Sequence, residues 1–416
     1  MLLRNIKVDG CPSDIVIDGG VVKNILPAGT CPTEGMEVEE CGGKTLIPGL
    51  INMHTHSAMS LMRGMGEDAP LHKWLADIWD IESRIDPEYI YWGTKAAILE
   101  MLHTGTTSFN DQYWWPEEAH RAAEQMGVCP MLTYVLLDGG DREKAARQRD
   151  ECIRTYERAL SWKDGSRFAV SVHAVYTVSE EMVLWAVEFA RKHGLKLHIH
   201  LSETEKEVAD CKAAHGGLSP VEYFDRLGVL GPDTIAAHTL WLSDGDIEIL
   251  GRRKVSCVHN INSNLKLSSG YKFRYQELRD AGANVCIGTD GCASSNNLDL
   301  LEAMKTACLV QKAWRHDPEA FPVREVLQCA TVNAARAMGV DAGRIAVGAK
   351  ADFCIVDTDN TYFLSPGPFE ANLIHSAGSR CIDSVMAGGR FVMKHGRVEG
   401  EEEIIKGARK VLGKLS

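Results

Sequence analysis

Apolar positions along the chain change their spacing twice. Up to about Leu46 they fall in short runs broken by Gly and Pro (IKVDG, DIVIDGGVVKNILP, KTLIP), the spacing of a small β structure. The same texture returns near the C-terminus in GRIAVGAKADFCIVD, RCIDSVMAGG and RFVMKHGRV. Between these flanks, over residues 48–342, short apolar stretches alternate with amphipathic ones at helical spacing, such as PEYIYWGTKAAILEMLHT and SEEMVLWAVEFARKHG. Eight of the short stretches read as strands: LINMHTH, TTSFND, CPMLTYVLL, RFAVSVHAV, LKLHIHLSE, TIAAHTL, KVSCVHN and NVCIGTD. Eight strand-then-helix units predict an α/β fold, a (β/α)8 TIM-like barrel. The flanks, residues 1–47 and 343–397, predict one small sheet domain assembled from both chain ends, and residues 398–416 have the spacing of a closing helix. A doubly wound open sheet is the competing arrangement. No G-x-G-x-x-G opens a helix after a strand, which speaks against its dinucleotide-binding form.

Composition narrows the class without choosing a chemistry. Hydrophobic residues at 45% and charged residues at 25% suit a globular protein with a large core. The net charge is −12 and no block of Lys and Arg is longer than a few residues, so a nucleic-acid partner is not expected. MLLRNIKVDG carries Arg4 and Lys7 and no apolar core, so no signal peptide is expected there. No stretch approaches about 18 uninterrupted apolar residues, so no membrane span is expected either. Thirteen cysteines without a single C-x-x-C read as reduced thiols of a cytoplasmic protein. The same absence excludes the cytidine-deaminase type of zinc site.

The strand ends carry the chemistry. Seven of the eight strand candidates place His, Asp or Glu at or near their C-terminal ends, and in a barrel those ends meet at one mouth. His54 and His56 close the first strand after the Pro-Gly turn of IPGLINMHTH, two residues apart and so on one face. Of His198 and His200 in the fifth, His200 is nearer the mouth and is the third metal ligand expected; His198 reads as a hydrogen-bonded histidine of the core. Asp290 closes the eighth strand and supplies an anionic ligand. Three histidines and a carboxylate suit one divalent cation, Zn²⁺ before Fe²⁺ or Mn²⁺, with room for a water. Glu203, just past the fifth strand, is placed to take a proton from that water, and His238, ending the sixth, to relay one. Neither the third nor the fourth strand candidate contains a lysine that could bridge a second cation, so one metal is expected.

PGLINMHTH, HIHLSETEKE, AAHTLWLSD, HNINSNLKLSSG and GTDGCASSNNLDLLEAMK together resemble the amidohydrolase superfamily. Within it they are most similar to the 5-methylthioadenosine/S-adenosylhomocysteine deaminase group, over nearly the whole chain. The resemblance implies a metal-dependent barrel with a composite β-sandwich, a tendency to form homo-oligomers, and hydrolytic deamination of an adenosine-type nucleoside. It places the metal ligands on His54, His56, His200 and Asp290 and the proton-transfer pair on Glu203 and His238. It also implies that Glu82 contacts the ribose, and that His173 on the fourth strand contacts the substrate, together with Glu203 and Asp290. Members that hold a homocysteine carboxylate use arginines around the loop after the third strand; here Tyr134 is the nearest equivalent, with Arg142 and Arg147 beyond it. A neutral 5′-substituted adenosine fits as well as S-adenosylhomocysteine. The rival substrates are guanine, a pterin or an s-triazine, and the rival class is a non-catalytic protein of the same fold.

Overall fold

A computed structural model describes residues 1–69 and 71–414. The N-terminal flank forms β1 (Leu2–Val8), β2 (Cys11–Asp18), β3 (Val21–Pro27), β4 (Val38–Glu40) and β5 (Lys44–Pro48). Gly10 and the Gly19–Gly20 pair turn the first two hairpins with φ of 79°, 58° and 77°, a region that glycine enters without steric cost. The middle supplies β6 (Leu50–Thr55), β7 (Thr106–Tyr113), β8 (Met131–Leu136), β9 (Arg167–Val172), β10 (Leu197–Leu201), β11 (Thr234–His238), β12 (Ser256–His259) and β13 (Asn284–Ile287). Each lies within the stretch that hydrophobic spacing marked except β7, which runs on past TTSFND through Gln112 and Tyr113. The C-terminal flank adds β14 (Phe353–Asp357), β15 (Ile382–Ala387) and β16 (Arg390–Met393).

The strands β6 to β13 pair in chain order, all parallel, into one eight-stranded sheet. Its two edges meet at the mouth, where the Asp290 amide donates to the His54 carbonyl (2.9 Å) and the Asn52 side chain bonds Thr289. Side chains alternate as strand geometry demands. Val170, Val172, Leu197, Ile199 and Leu201 pack outward against the helices, while His198 and His200 turn inward. At the other end, Ile51, Met131, Ala169, Ile235 and Val258 pack on Ala334, Ala335 and Met338 of the helix Val332–Met338. That helix plugs the bottom of the barrel with apolar side chains, while the histidines lie toward the top.

The flanks share one sheet, ordered β16-β15-β14-β5-β1-β2-β3 with β4 beside β1. Its central joint is the antiparallel pair of β5 and β14, from Lys44 opposite Asp357 to Pro48 opposite Phe353. Leu3, Ile6, Ile15, Leu46, Phe353 and Met386 form its buried face. Because β5 runs directly into β6 through Gly49, this sheet anchors the first barrel strand. Among the described residues no helix is long and apolar enough to cross a membrane.

The last helix, Glu401–Leu412, lies on the helix Pro87–His103, with Gly407 against the face of Trp92. A Cβ at Gly407 would fall 2.3 Å from the Trp92 ring. Gly407→Val is therefore expected to destabilise the fold by about 1–3 kcal/mol through overpacking. Calorimetry should show a lower Tm, and the last helix should become sensitive to protease. A wild-type Tm would mean that this helix does not rest on Trp92.

Candidate metal centre and active site

At the top of the barrel, five histidines and an aspartate converge. His54 is the penultimate residue of β6, His56 follows the strand, His200 lies on β10, His238 ends β11, and Asp290 follows β13. Asp290 Oδ1 stands 3.3 Å from His54 Nε2 and 3.1 Å from His56 Nε2. The candidate ligand atoms form two overlapping triplets that share His54, one with His56 and Asp290 and one with His200 and His238. His173, which ends near the same rim, has its ring 4.8 Å from that of His200.

Glycine makes this approach possible. A Cβ at Gly288 would sit 2.8 Å from the His54 backbone nitrogen, and one at Gly291 would sit 2.7 Å from Met59 Sδ and 3.1 Å from His56 Cβ. Asp290 itself takes a left-handed φ of 65°, which turns its side chain from the strand direction toward the histidines. Its Oδ2 accepts from Ser263 Oγ (2.6 Å) and Ser294 Oγ (2.9 Å), and its Oδ1 accepts from the Gly291 amide (2.9 Å). Buried charge at this position is held by those donors and by the two imidazoles.

The imidazoles are oriented for ligation from behind. His56 Nδ1 donates to the Gln112 carbonyl (2.6 Å) and His200 Nδ1 to the His173 carbonyl (2.8 Å), which leaves Nε2 of each with its lone pair toward the centre. His54 Nδ1 meets His198 Nε2 at 2.9 Å, and His198 in turn meets the Asn110 side-chain amide at 3.1 Å. His54 Nε2 is buried without a hydrogen-bond partner. An orphaned buried imidazole nitrogen, two more aimed by carbonyls and one carboxylate are a donor set that fits a divalent cation. His198 thus stands behind His54, a candidate ligand.

Electrostatics agree with that use. Burial pushes His54 down to about 4, with Asp290 opposing the shift. Burial also acts against charge on His56, but Asp290 and the Gln112 carbonyl outweigh it and hold that ring up to about 9. His200 lies well below the usual histidine range, through burial and then its imidazole neighbours. Asp290 is held well below the carboxylate range: burial opposes this, and His54 and His56 override it. Ionised Asp290 beside neutral His54 and His200 is the state in which these groups bind metal, and His56, protonated at neutral pH without a cation, would release its Nε2 proton on binding one.

The remaining expected residues face the same cleft. Glu203 Oε2 stands 3.8 Å from His238 Nε2, and its Oε1 accepts from Ser269 Oγ (3.1 Å). His238 Nδ1 is taken by the Asn264 side-chain amide at 3.0 Å, so Nε2 faces the site. His173 Nδ1 bonds Thr177 Oγ1 (2.9 Å), and burial followed by the neighbouring imidazoles pushes it down to about 3, so it is neutral near pH 7. Glu82, at the end of the helix Leu71–Glu82, lines the cleft beside Tyr113 and Trp114, and burial raises its carboxyl above the usual range. Met59, Trp74, Ile78 and Trp79 line the cleft as well, and the Trp74 indole is tied to the Ala293 carbonyl (3.3 Å). Tyr134 does not line it: its hydroxyl donates to Glu151 on the outside, and Arg142 and Arg147 are exposed and away from it.

Sequence spacing did not single out Ser263, Asn264 and Ser269, which each bond one of Asp290, His238 and Glu203. The polar run HNINSNLKLSSG was their only signal, and polarity alone does not say which group each one meets.

The profile of the amidohydrolase family matches residues 45–392. The chain belongs to the amidohydrolase family. A 5′-deoxyadenosine deaminase of Methanoregula boonei is 40% identical over 100% of this chain and 95% of its own. A 5-methylthioadenosine/S-adenosylhomocysteine deaminase of Archaeoglobus fulgidus is 39% identical over 98% of this chain and 96% of its own. Among solved structures, a zinc-bound adenosine deaminase of Xanthomonas campestris superposes with a TM-score of 0.89 at 31% identity, covering 97% of this chain and 93% of the other. Within this amidohydrolase fold, His198 is expected to act through His54. His198→Ala should weaken divalent-metal binding by about 10–100-fold, measured by competition with a chromophoric chelator. An unchanged affinity would return His198 to the core.

Proposed function

We propose that this chain is a metal-dependent aminohydrolase that converts a 5′-substituted adenosine to the matching inosine analogue and ammonia. The observation that carries it is the meeting, in one cleft, of the His54, His56, His200 and Asp290 donor set with Glu203, a carboxylate outside both ligand triplets. Relatives of about 40% identity over essentially the full chain, named for 5′-deoxyadenosine and for methylthioadenosine and S-adenosylhomocysteine, support the substrate class.

One cation per chain is proposed, zinc in preference to iron or manganese, because imidazole with a single carboxylate suits it. Bound there, the cation supplies acidification of a water molecule at neutral pH. Glu203 takes the proton released and delivers it to the ring nitrogen beside the carbon under attack. His238, with Nδ1 occupied by Asn264, turns Nε2 toward the attacking water and the departing amine, and Asp290 orients the same water. His173, being neutral, contacts the substrate by hydrogen bonding, and Glu82 takes the ribose hydroxyls.

The cleft also bears on what hangs from the ribose. Among the described residues that line it, the charged ones are Glu82, Glu203 and Asp290, with no lysine or arginine. Val135 and Leu137 stand on the side of the third barrel strand, where the loop toward the helix Arg142–Ala159 begins. A carboxylate entering there would lose its hydration with no cation to replace it. The 5′ group proposed is therefore neutral, as in 5′-deoxyadenosine or methylthioadenosine.

An ammonia-release series on zinc-loaded protein tests this, with 5′-deoxyadenosine, methylthioadenosine, S-adenosylhomocysteine, adenosine, adenine and guanine. A neutral 5′-substituted adenosine should exceed S-adenosylhomocysteine by about tenfold or more in kcat/KM, the loss of one charge-assisted hydrogen bond. Preference for a free base would refute the ribose contact by Glu82, and no turnover of any aminopurine would sink the enzyme. Glu203→Gln should keep its metal and lose about a hundredfold or more in kcat; near-wild-type turnover would remove Glu203 from the mechanism.

A further inference from the structure

Glu207 belongs to no group considered so far, yet it is a buried carboxylate one turn beyond Glu203. It is 6% exposed and sits in the first turn of the helix Glu205–Ala214, whose N-cap is Thr204. Two other helices here begin in the usual reciprocal way. At Ser219 the third-position acid, Glu222, turns back to the cap's own amide (2.8 Å), and at Ser243 Asp246 does the same (2.8 Å). Glu207 reaches further back. Its Oε1 accepts from the Ser202 amide and its Oε2 from the Glu203 amide, each at 2.8 Å.

Those two amides point the same way because Ser202 is left-handed, with φ of 52°, while fully buried. Consecutive N–H groups arranged around such a residue make a small anion-binding concavity, and Glu207 fills it. The Ser202 carbonyl is fixed from the other side by the Leu240 and Trp241 amides (3.1 and 2.9 Å). The far end of Glu203 is held separately. Ser269 Oγ donates to Glu203 Oε1, and the Ser269 carbonyl accepts from the Trp241 indole at 2.7 Å. Burial, opposed by the two amides and reinforced by the charge of Glu203, brings Glu207 up to about 7.

We infer that Glu207 and Ser269 are positioning residues for Glu203: Glu207 sets its main chain and Ser269 its carboxylate, so that the proton carrier is aimed at the cleft from both ends. The inference rests on the role of Glu203 in the proposed deamination. A misplacement of the order of 1 Å costs about a hundredfold in rate, whereas the metal ligands lie on other atoms and should be unaffected.

The test uses the full zinc-loaded chain and an adenosine-type nucleoside that the wild type deaminates. Glu207→Gln leaves one amide facing an N–H₂ group, and Ser269→Ala removes the donor to the carboxylate. Each should lower kcat by about ten- to a hundredfold, with KM within about threefold and one zinc retained per chain. In a Glu203→Gln background neither should lower the residual rate further, since both act through that side chain. Independently of turnover, hydrogen exchange at the Ser202 and Glu203 amides should quicken in Glu207→Gln and not in Ser269→Ala. Wild-type kcat in both variants, an additive loss in the Glu203→Gln background, or a loss that follows zinc content would overturn the inference. If Glu207→Gln does not fold, Ser269→Ala still decides its half, and unchanged exchange in a folded Glu207→Gln overturns the other. A wild type inactive on every nucleoside would instead defeat the functional proposal and leave the exchange result standing.

Discussion

The contact between the end of β13 and the end of β6 bears the most weight in this molecule. There the backbone of Asp290 closes the barrel onto His54, and its side chain stands between His54 and His56. One residue therefore joins the first barrel strand to the last and completes the donor set. The approach needs Gly288, where any Cβ would press on the His54 backbone, and a left-handed Asp290. Strained backbone of this kind persists only where its surroundings hold it. Here the Ser263, Ser294 and Gly291 donors do so.

Around that seam the site is built in two layers. The inner layer is the imidazoles, Asp290 and Glu203. The outer layer orients them: backbone carbonyls of Gln112 and His173 behind His56 and His200, His198 behind His54, and Asn264 behind His238. Left-handed φ values recur where the polar ends of the strands leave the barrel, 52° at Ser202, 71° at His238 and 65° at Asp290. Each bends the chain at the point where a functional side chain must leave the strand direction. The apolar plug of Ala334, Ala335 and Met338 lies beneath this layer, and a low dielectric there strengthens the buried polar contacts above it.

Much of this was legible along the chain. The eight apolar stretches, the period of two at His198 and His200 and the polar strand ends are local features, and local geometry dictates them. Likewise the two Gly-broken flanks carried the spacing of one sheet, which the β5–β14 pair completes. Glu82 is different. On an amphipathic helix it has the appearance of a solvated acid, and only a family resemblance brought it to the cleft, since nothing within the helix says what the helix covers.

By itself, then, the sequence determined the eight strands, the two β flanks and the polar groups at the strand ends, because strand periodicity carries side-chain direction in a run of a few residues. Tertiary structure decided which groups stand behind them. That His198 stands behind His54, that the loop after β12 bonds Asp290, His238 and Glu203 at once, and that Glu207 passes over its own helix cap to the Ser202 and Glu203 amides, all depend on segments brought together from different strands. It also decided that Val135 and Leu137, and not Tyr134, face the cleft, since the pleat of β8 and the start of its loop set that direction. Such contacts follow from how the strand ends converge in space, and no spacing along one chain encodes the distance between two of them.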